Sequence, residues 1–116
     1  MELLGIDVGG SGIKGGIVDS ERGVIMGERY RLATPHPATP KSVTKTVARV
    51  VEHFAWKAPV GAGFPAVVRH GQVHTAANID DAWIGRNVRA MFEEATGCTF
   101  AVRNDADVAG MAEMRF

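Results

Sequence analysis

The sequence predicts an α/β domain built on a mixed sheet of about five strands with flanking helices. Three observations carry that expectation. Apolar, β-branched runs at residues 2–8, 13–19 and 24–33 follow one another with only turns between them. Helical periodicity then takes over, first behind Pro40 and again behind Val88. Short apolar runs at 60–68 and 99–102 fall between and after those helices. Successive strands followed by alternating helices and strands give a sheet that is antiparallel in part and covered by helices.

Each element has a local reason. Residues 2–8 and 13–19 are the first two strands, joined through Gly9-Gly10-Ser11-Gly12, and Glu21-Arg22-Gly23 turns the chain into a loosely alternating strand at 24–33. Thr34-Pro35-His36-Pro37-Ala38-Thr39-Pro40 is a stiff loop, because proline blocks regular pairing. Thr39 is placed to cap a helix whose first position is Pro40. Val43, Val47, Val50, Val51 and Phe54 make its apolar stripe, and Ala58-Pro59 is expected to close it. Residues 60–68 read as the next strand, and Arg69-His70-Gly71-Gln72 as a turn into a short strand at 72–75. An irregular stretch from Ala76 to Arg86 precedes a helix with Val88, Met91, Phe92 and Ala95 on one face and Gly97 as its cap. Thr99 to Val102 is the last strand, and a helix is expected from Asn104 or Asp105.

Composition narrows the class. The 116 residues suit one domain or part of a larger one. They are 46% hydrophobic and 22% charged, the balance of a globular chain. Thirteen basic and thirteen acidic residues leave no electrostatic footprint for nucleic acid. Cys98 is the sole cysteine, which excludes an internal disulfide and suits a reducing compartment. Met1-Glu2-Leu3-Leu4 lacks the basic and apolar regions of a signal peptide, and no apolar run is long enough to span a bilayer. A cytoplasmic location, with no membrane and no nucleic-acid partner, is the expectation.

The run Leu3 to Asp19 carries the most chemistry. Two strands meet at a glycine-rich turn, an aspartate ends the first, and a lysine opens the second. A turn poor in Cβ atoms directs backbone N–H groups into one concavity, which suits phosphate. On this reading Gly9, Gly10, Ser11 and Gly12 hold a phosphate, Lys14 adds a point charge, and Asp7 holds Mg²⁺, a hard cation that prefers oxygen. Gly10 to Gly15 matches G-x-G-x-x-G, but the dinucleotide fingerprint needs a helix at the glycines, and Ile13, Gly15, Gly16, Ile17 and Val18 favour a strand. The P-loop spacing is absent, since Lys14 precedes Gly15 and no Ser or Thr follows it. An ordinary hairpin turn with no ligand has the same sequence, and the motif alone does not separate the two.

Ligands of such sheets gather at the carboxyl ends of strands. Asp7 lies at one such end and Asn104-Asp105 at another, so two carboxylates distant in sequence are expected to face one cleft. Asp105 equally suits a helix N-cap, a role that leaves its carboxylate presented.

These residues together resemble the ROK sugar kinases of the ribonuclease-H-like, actin-like ATPase superfamily. The likeness runs over essentially the whole chain. It is strongest in Leu4 to Asp19, in Thr75-Ala76-Ala77-Asn78-Ile79 with Trp83-Ile84-Gly85, and in Asn104-Asp105-Ala106-Asp107 with Ala112 to Phe116. The resemblance implies a ribonuclease-H-like lobe that transfers a phosphoryl group from polyphosphate or ATP to the 6-hydroxyl of glucose. It further implies Asp105 as general base, Asn78 and Asn104 as sugar ligands beside it, Mg²⁺ at Asp7, and the donor on Gly9 to Gly12 with Lys14. A homodimer is implied for the full-length enzyme.

Two departures from the family pattern stand out. Where the family carries Gly-x-Pro-Gly this chain has Gly63-Phe64-Pro65-Ala66. If the last position requires φ > 0, alanine is strained there by roughly 1–2 kcal/mol. The kinases also have two lobes that close on the sugar, and residues 1–116 correspond to the N-terminal one. The second lobe and its Glu-x-Gly-His segment are absent from this sequence. A non-catalytic sugar- or phosphate-binding module is therefore the alternative. A repressor of the same family needs a helix-turn-helix ahead of the first strand, and a strand starting at residue 2 leaves no room for one.

The remaining polar and aromatic residues read as structure. His36, His53, His70 and His74 lack metal-ligand spacing with Cys98 and are expected on the surface. Trp56 and Trp83 suit packing, with Trp83 the better placed to stack on a sugar. Arg31, Lys41, Lys45 and Arg49 are cations that a polyphosphate chain would follow.

Overall fold

The chain, seen in a computed structural model, is described for residues 2–19, 21–22, 24–66, 68–74 and 80–104. Asn78, Asp105 and the helix expected behind Asp105 lie outside the described residues. In chain order the elements are β1 (Glu2–Val8), β2 (Gly12–Asp19), β3 (Val24–Ala33), α1 (Pro40–His53), β4 (Val60–Phe64), β5 (Val68–Arg69), β6 (Gln72–Val73), a 3₁₀ turn (Asp81–Trp83), α2 (Val88–Thr96) and β7 (Phe100–Asn104). The main sheet has five strands in the order β3-β2-β1-β4-β7, mixed as expected. β1, β2 and β3 are antiparallel neighbours, while β4 and β7 add parallel to β1.

Register assigns every side chain to a face. Leu4, Ile6 and Val8 alternate with Leu3, Gly5 and Asp7 along β1, because successive side chains of a strand point to opposite sides. The first set is fully buried and joins Ile13 of β2 and Val60, Ala62 and Phe64 of β4 in the core. That face is covered by α1 and α2, which pack against each other. A Cβ on Gly15 would stand 2.5 Å from Val50 Cγ1 and 3.3 Å from Phe54 Cε2, so glycine there lets α1 lie directly on β2.

Helix α1 starts as its sequence dictates. The Ser42 N–H donates to Thr39 Oγ1 at 3.2 Å, the Thr39 N–H donates to Ser42 Oγ at 3.0 Å, and Pro40 opens the first turn. Val43, Val47, Val50 and Val51 are buried. The helix ends at His53, well short of Ala58-Pro59. Ala55 takes φ 49°, which turns the chain back so that the Trp56 N–H reaches Val51 O at 3.2 Å. With no glycine at that position, the left-handed stop has no sequence signal.

β4 is also shorter than expected. Pro65 has no N–H to continue the ladder and ends it at Phe64. The predicted turn after Arg69 is a two-residue one, His70 at φ 54° and Gly71 at φ 82°, joining β5 to β6. In α2, Val88 and Phe92 are buried and Met91 half-buried, but Ala95 is exposed rather than on the packed face. Asn87 Oδ1 caps its start and Gly97, at φ 75°, ends it. β7 begins one residue later than predicted and runs on to Asn104. No helix among the described residues is long and apolar enough to cross a membrane.

Candidate active site

Because β1, β4 and β7 run parallel, their carboxyl ends share one edge of the sheet. Asp7, Pro65 and Asn104 therefore meet there, as the sequence led one to expect for Asp7 and Asn104. The meander adds a fourth participant. Two antiparallel steps make β3 run the same way as β1, so Ala33-Thr34 also arrives at this edge.

The turn between β1 and β2 is tied down by that arrival. Thr34 Oγ1–H donates to Gly9 O at 2.7 Å, and the Thr34 N–H donates to Ser11 O at 3.2 Å. Arg31 Nη2–H donates to the same Ser11 carbonyl at 3.0 Å, and the Gly9 N–H donates to Gly12 O at 2.9 Å. The carbonyls of Gly9, Ser11 and Gly12 are thus turned toward the chain's own donors. No acceptor among the described residues meets the N–H of Gly10 or Ser11, and both residues are exposed. A turn with its carbonyls satisfied inward and amides left outward is electropositive on its open side.

The glycines of the run have different reasons. Gly15 is required by helix packing, as described above. At Gly12 a Cβ would stand 2.4 Å from Arg31 Nε, so that glycine admits the guanidinium. At Gly10 a Cβ would meet nothing within 4 Å, and its φ is not in the left-handed region. The fold itself makes no demand for glycine there.

Beside the turn lies a cavity of about 290 Å³ lined by Gly9, Gly10, Thr34, His36, Pro37, Ala38, Pro65 and Asp80. Its volume is near the lower end of small-molecule pockets, about 300 Å³. Thr34, His36 and Asp80 give it hydroxyl, imidazole and carboxylate groups. Asp80 is half-buried and held by the Ala82 N–H, which donates to its Oδ1 at 2.8 Å. Among the described residues, Asn104 Nδ2–H donates to Ala66 O at 2.7 Å and so braces the loop that carries Pro65.

Ala66 is buried, and the non-glycine residues with positive φ are Ala55 and His70 among those described. The strain expected for alanine at this position is therefore absent. Trp83 is a packing residue, as expected, and is more deeply buried than expected. It is 0% exposed, stacked edge-on against Phe64 at 4.8 Å and Phe92 at 6.3 Å, so it cannot lie on a sugar. Its Nε1–H donates to Ala38 O at 2.9 Å and fastens the cavity wall from behind. The four histidines are exposed as expected, but His36 lines the cavity, and His53 stacks on Tyr30 with ring centroids 3.7 Å apart.

On the sheet face turned away from the helices, Asp7, Lys14 and Arg31 stand directly opposite one another across β1, β2 and β3. Lys41 and Lys45 line a groove between α1 and α2, and Arg49 borders Tyr30 and His53. The structure therefore separates Arg31 from the other three cations with which the sequence grouped it. No cluster of three or more His, Cys, Asp or Glu suited to a metal occurs among the described residues. A single carboxylate at the edge of a phosphate turn is still a fitting Mg²⁺ ligand, since Mg²⁺ is commonly held by one or two carboxylates together with substrate phosphates.

Comparison with known proteins shows the chain's family. Residues 3–116 match the ROK family. The polyphosphate glucokinase of Mycobacterium tuberculosis strain H37Rv is 55% identical over 114 residues, which are 97% of this chain and 43% of that protein. The inorganic polyphosphate/ATP-glucomannokinase of Arthrobacter sp. strain KM superposes with a TM-score of 0.92 at 47% identity, over 97% of this chain and 47% of the other. A ROK family glucokinase from Streptomyces griseus, solved with glucose and AMPPNP, gives a TM-score of 0.81 at 30% identity, over 95% of this chain and 35% of the other. The chain thus spans less than half the length of these relatives.

Proposed function

The chain belongs to the ROK family, and from that membership we propose that it forms the N-terminal lobe of a kinase transferring a phosphoryl group from polyphosphate or ATP to the 6-hydroxyl of glucose. The observation that carries this reading is the turn at Gly9–Gly12, where the carbonyls of Gly9, Ser11 and Gly12 are bonded by the chain, the amides of Gly10 and Ser11 meet no acceptor among the described residues, and Gly9 and Gly10 line a cavity of about 290 Å³. The names of the relatives, glucokinases using polyphosphate or crystallised with glucose and a nucleotide analogue, supply the substrates.

The chemistry follows from the residues. The donor phosphates rest on the Gly10 and Ser11 amides with Lys14 alongside. Asp7 holds Mg²⁺, which when bound offsets negative charge on those phosphates. Asn104 and Asn78 hydrogen-bond the sugar. Glucose O6 attacks the terminal phosphorus as its proton passes to the Asp105 carboxylate. The O6–P bond forms, the bridging P–O bond breaks, and the donor leaves one phosphate shorter. Phosphoryl transfer depends mainly on positioning and charge neutralisation, so a pre-ordered turn contributes more than covalent chemistry. A positioned base adds about 10²–10⁴-fold.

The test measures glucose 6-phosphate from glucose, Mg²⁺ and either polyphosphate or ATP, for this chain and for a chain extended through a second lobe. Product expected from the extended chain falls at least about 100-fold in its Asp105→Asn variant, which should fold normally. Wild-type-like turnover in that variant removes the base assignment. Phosphate binding without product in either chain would favour a non-catalytic binding module.

A further inference from the structure

Among the described residues, the row of charges on the face away from α1 and α2 holds two cations to one carboxylate. Asp7 stands opposite Lys14, and Lys14 stands opposite Arg31. Directly opposed residues on neighbouring strands have Cβ atoms about 4.5–5.5 Å apart, and like charges so placed are destabilising. One carboxylate thus faces two cations. The ion pairs seen among the described residues, Arg22–Asp19 and His53–Glu28, involve neither Lys14 nor Arg31.

Arg31 is also held in one place. Its Nη2–H donates to Ser11 O at 3.0 Å, and its Nε and Cζ lie over Gly12, where a Cβ would be 2.4 and 2.7 Å away. A guanidinium has five N–H donors in a planar fork, and the one bond to Ser11 leaves the others for an anion. The fork is exposed and stands next to the open amides of Gly10 and Ser11. Arginine suits this task, because it is always charged and its fork matches phosphate oxygens in pairs.

We propose that Arg31, with Lys14, binds a second phosphate group of the donor, so that the site selects a condensed phosphate over orthophosphate. The proposal rests on the phosphate reading of the glycine turn given above. The ligand chemistry is a phosphoanhydride chain, either free or as the tail of a nucleotide. Lys14 lies between Asp7 and Arg31, so the chain of phosphates would run across β2 from the Mg²⁺ ligand toward the β3 edge.

The experiment titrates the 116-residue chain, and its Arg31→Gln, Arg31→Lys and Lys14→Gln variants, with orthophosphate, tripolyphosphate and ATP in the presence of Mg²⁺. Calorimetry and the amide shifts of Gly10 and Ser11 report binding, and thermal melting checks that each variant folds. Arg31→Gln is expected to weaken tripolyphosphate about tenfold, the scale of one charge-assisted hydrogen bond, and orthophosphate by much less, since only the bond to Ser11 O is then at stake. Arg31→Lys should recover part of the loss. ATP following tripolyphosphate assigns the nucleotide tail as well, and ATP indifferent to Arg31 assigns the free chain. Equal weakening of orthophosphate and tripolyphosphate overturns the proposal, because Arg31 then only shapes the turn. Unchanged tripolyphosphate binding in Arg31→Gln overturns it too, and with Lys14→Gln still impaired the phosphate reading of the turn survives. Wild-type chain that binds none of the three, with no shift at Gly10 or Ser11, overturns both.

Discussion

Two alanine substitutions in one glycine run should have opposite consequences. In Gly15→Ala the new methyl would stand 2.5 Å from Val50 Cγ1 and 3.3 Å from Phe54 Cε2. Val50 is fully buried on α1 and β-branched, so it has no alternative rotamer to retreat into. Overpacking of this kind costs about 1–3 kcal/mol. The loss of chain entropy in the unfolded state offsets about 0.4–1 kcal/mol of that. The middle of these ranges leaves a net cost of about 1.3 kcal/mol, and at about 4–8 °C per kcal/mol for a domain near this size melting should fall by roughly 5–10 °C. In Gly10→Ala the methyl meets nothing within 4 Å, so melting should stay within about 4 °C of the parent. If the turn holds phosphate as proposed, that methyl adds bulk where the ligand would rest, and tripolyphosphate affinity should drop at least about tenfold, or roughly 1.4 kcal/mol. Circular dichroism melts and calorimetric titration on the same preparations separate the effects. An unchanged melt for Gly15→Ala would refute the seating of α1 on β2. Full tripolyphosphate affinity in a folded Gly10→Ala chain would refute the assignment of that glycine to a ligand.

Three further substitutions probe the supports of the site. Thr34→Val keeps the shape but leaves Gly9 O without its 2.7 Å donor, costing about 1–2 kcal/mol and weakening tripolyphosphate severalfold by titration. Trp83→Phe removes the bond to Ala38 O and part of a fully buried ring, so the guanidinium midpoint should fall by an amount worth about 2 kcal/mol. Thr44 carries a buried Oγ1 with no hydrogen-bond partner among the described residues, and Thr44→Val should raise the midpoint, by about 1 kcal/mol, with no change of slope.

Much of this protein is local and therefore legible. The Thr39–Pro40 start of α1, its valine stripe, the Gly97 stop of α2 and the β1–β2 turn follow from residues within a few positions of each other, because caps, periodicity and turn chemistry act over that range. The same holds for the assignment of the glycine run to a strand–strand junction. What escaped the sequence was set by elements meeting across the sheet. Thr34 and His36 reach the cavity because β3 ends on the same edge as β1, and Asp80 joins them from the cap of the 3₁₀ turn, a meeting that no single residue signals. Trp83 was legible as a packing residue but its complete burial was not, because Phe64, Phe92 and the Ala38 carbonyl enclose it from separate elements. The sequence by itself determined the strand and helix order, the family and the glycine turn. Only the tertiary structure decided which carbonyls of that turn are occupied and that Arg31, not the lysines of α1, stands over it, because hydrogen bonding and charge register between strands are settled by pairing rather than by neighbours in the chain.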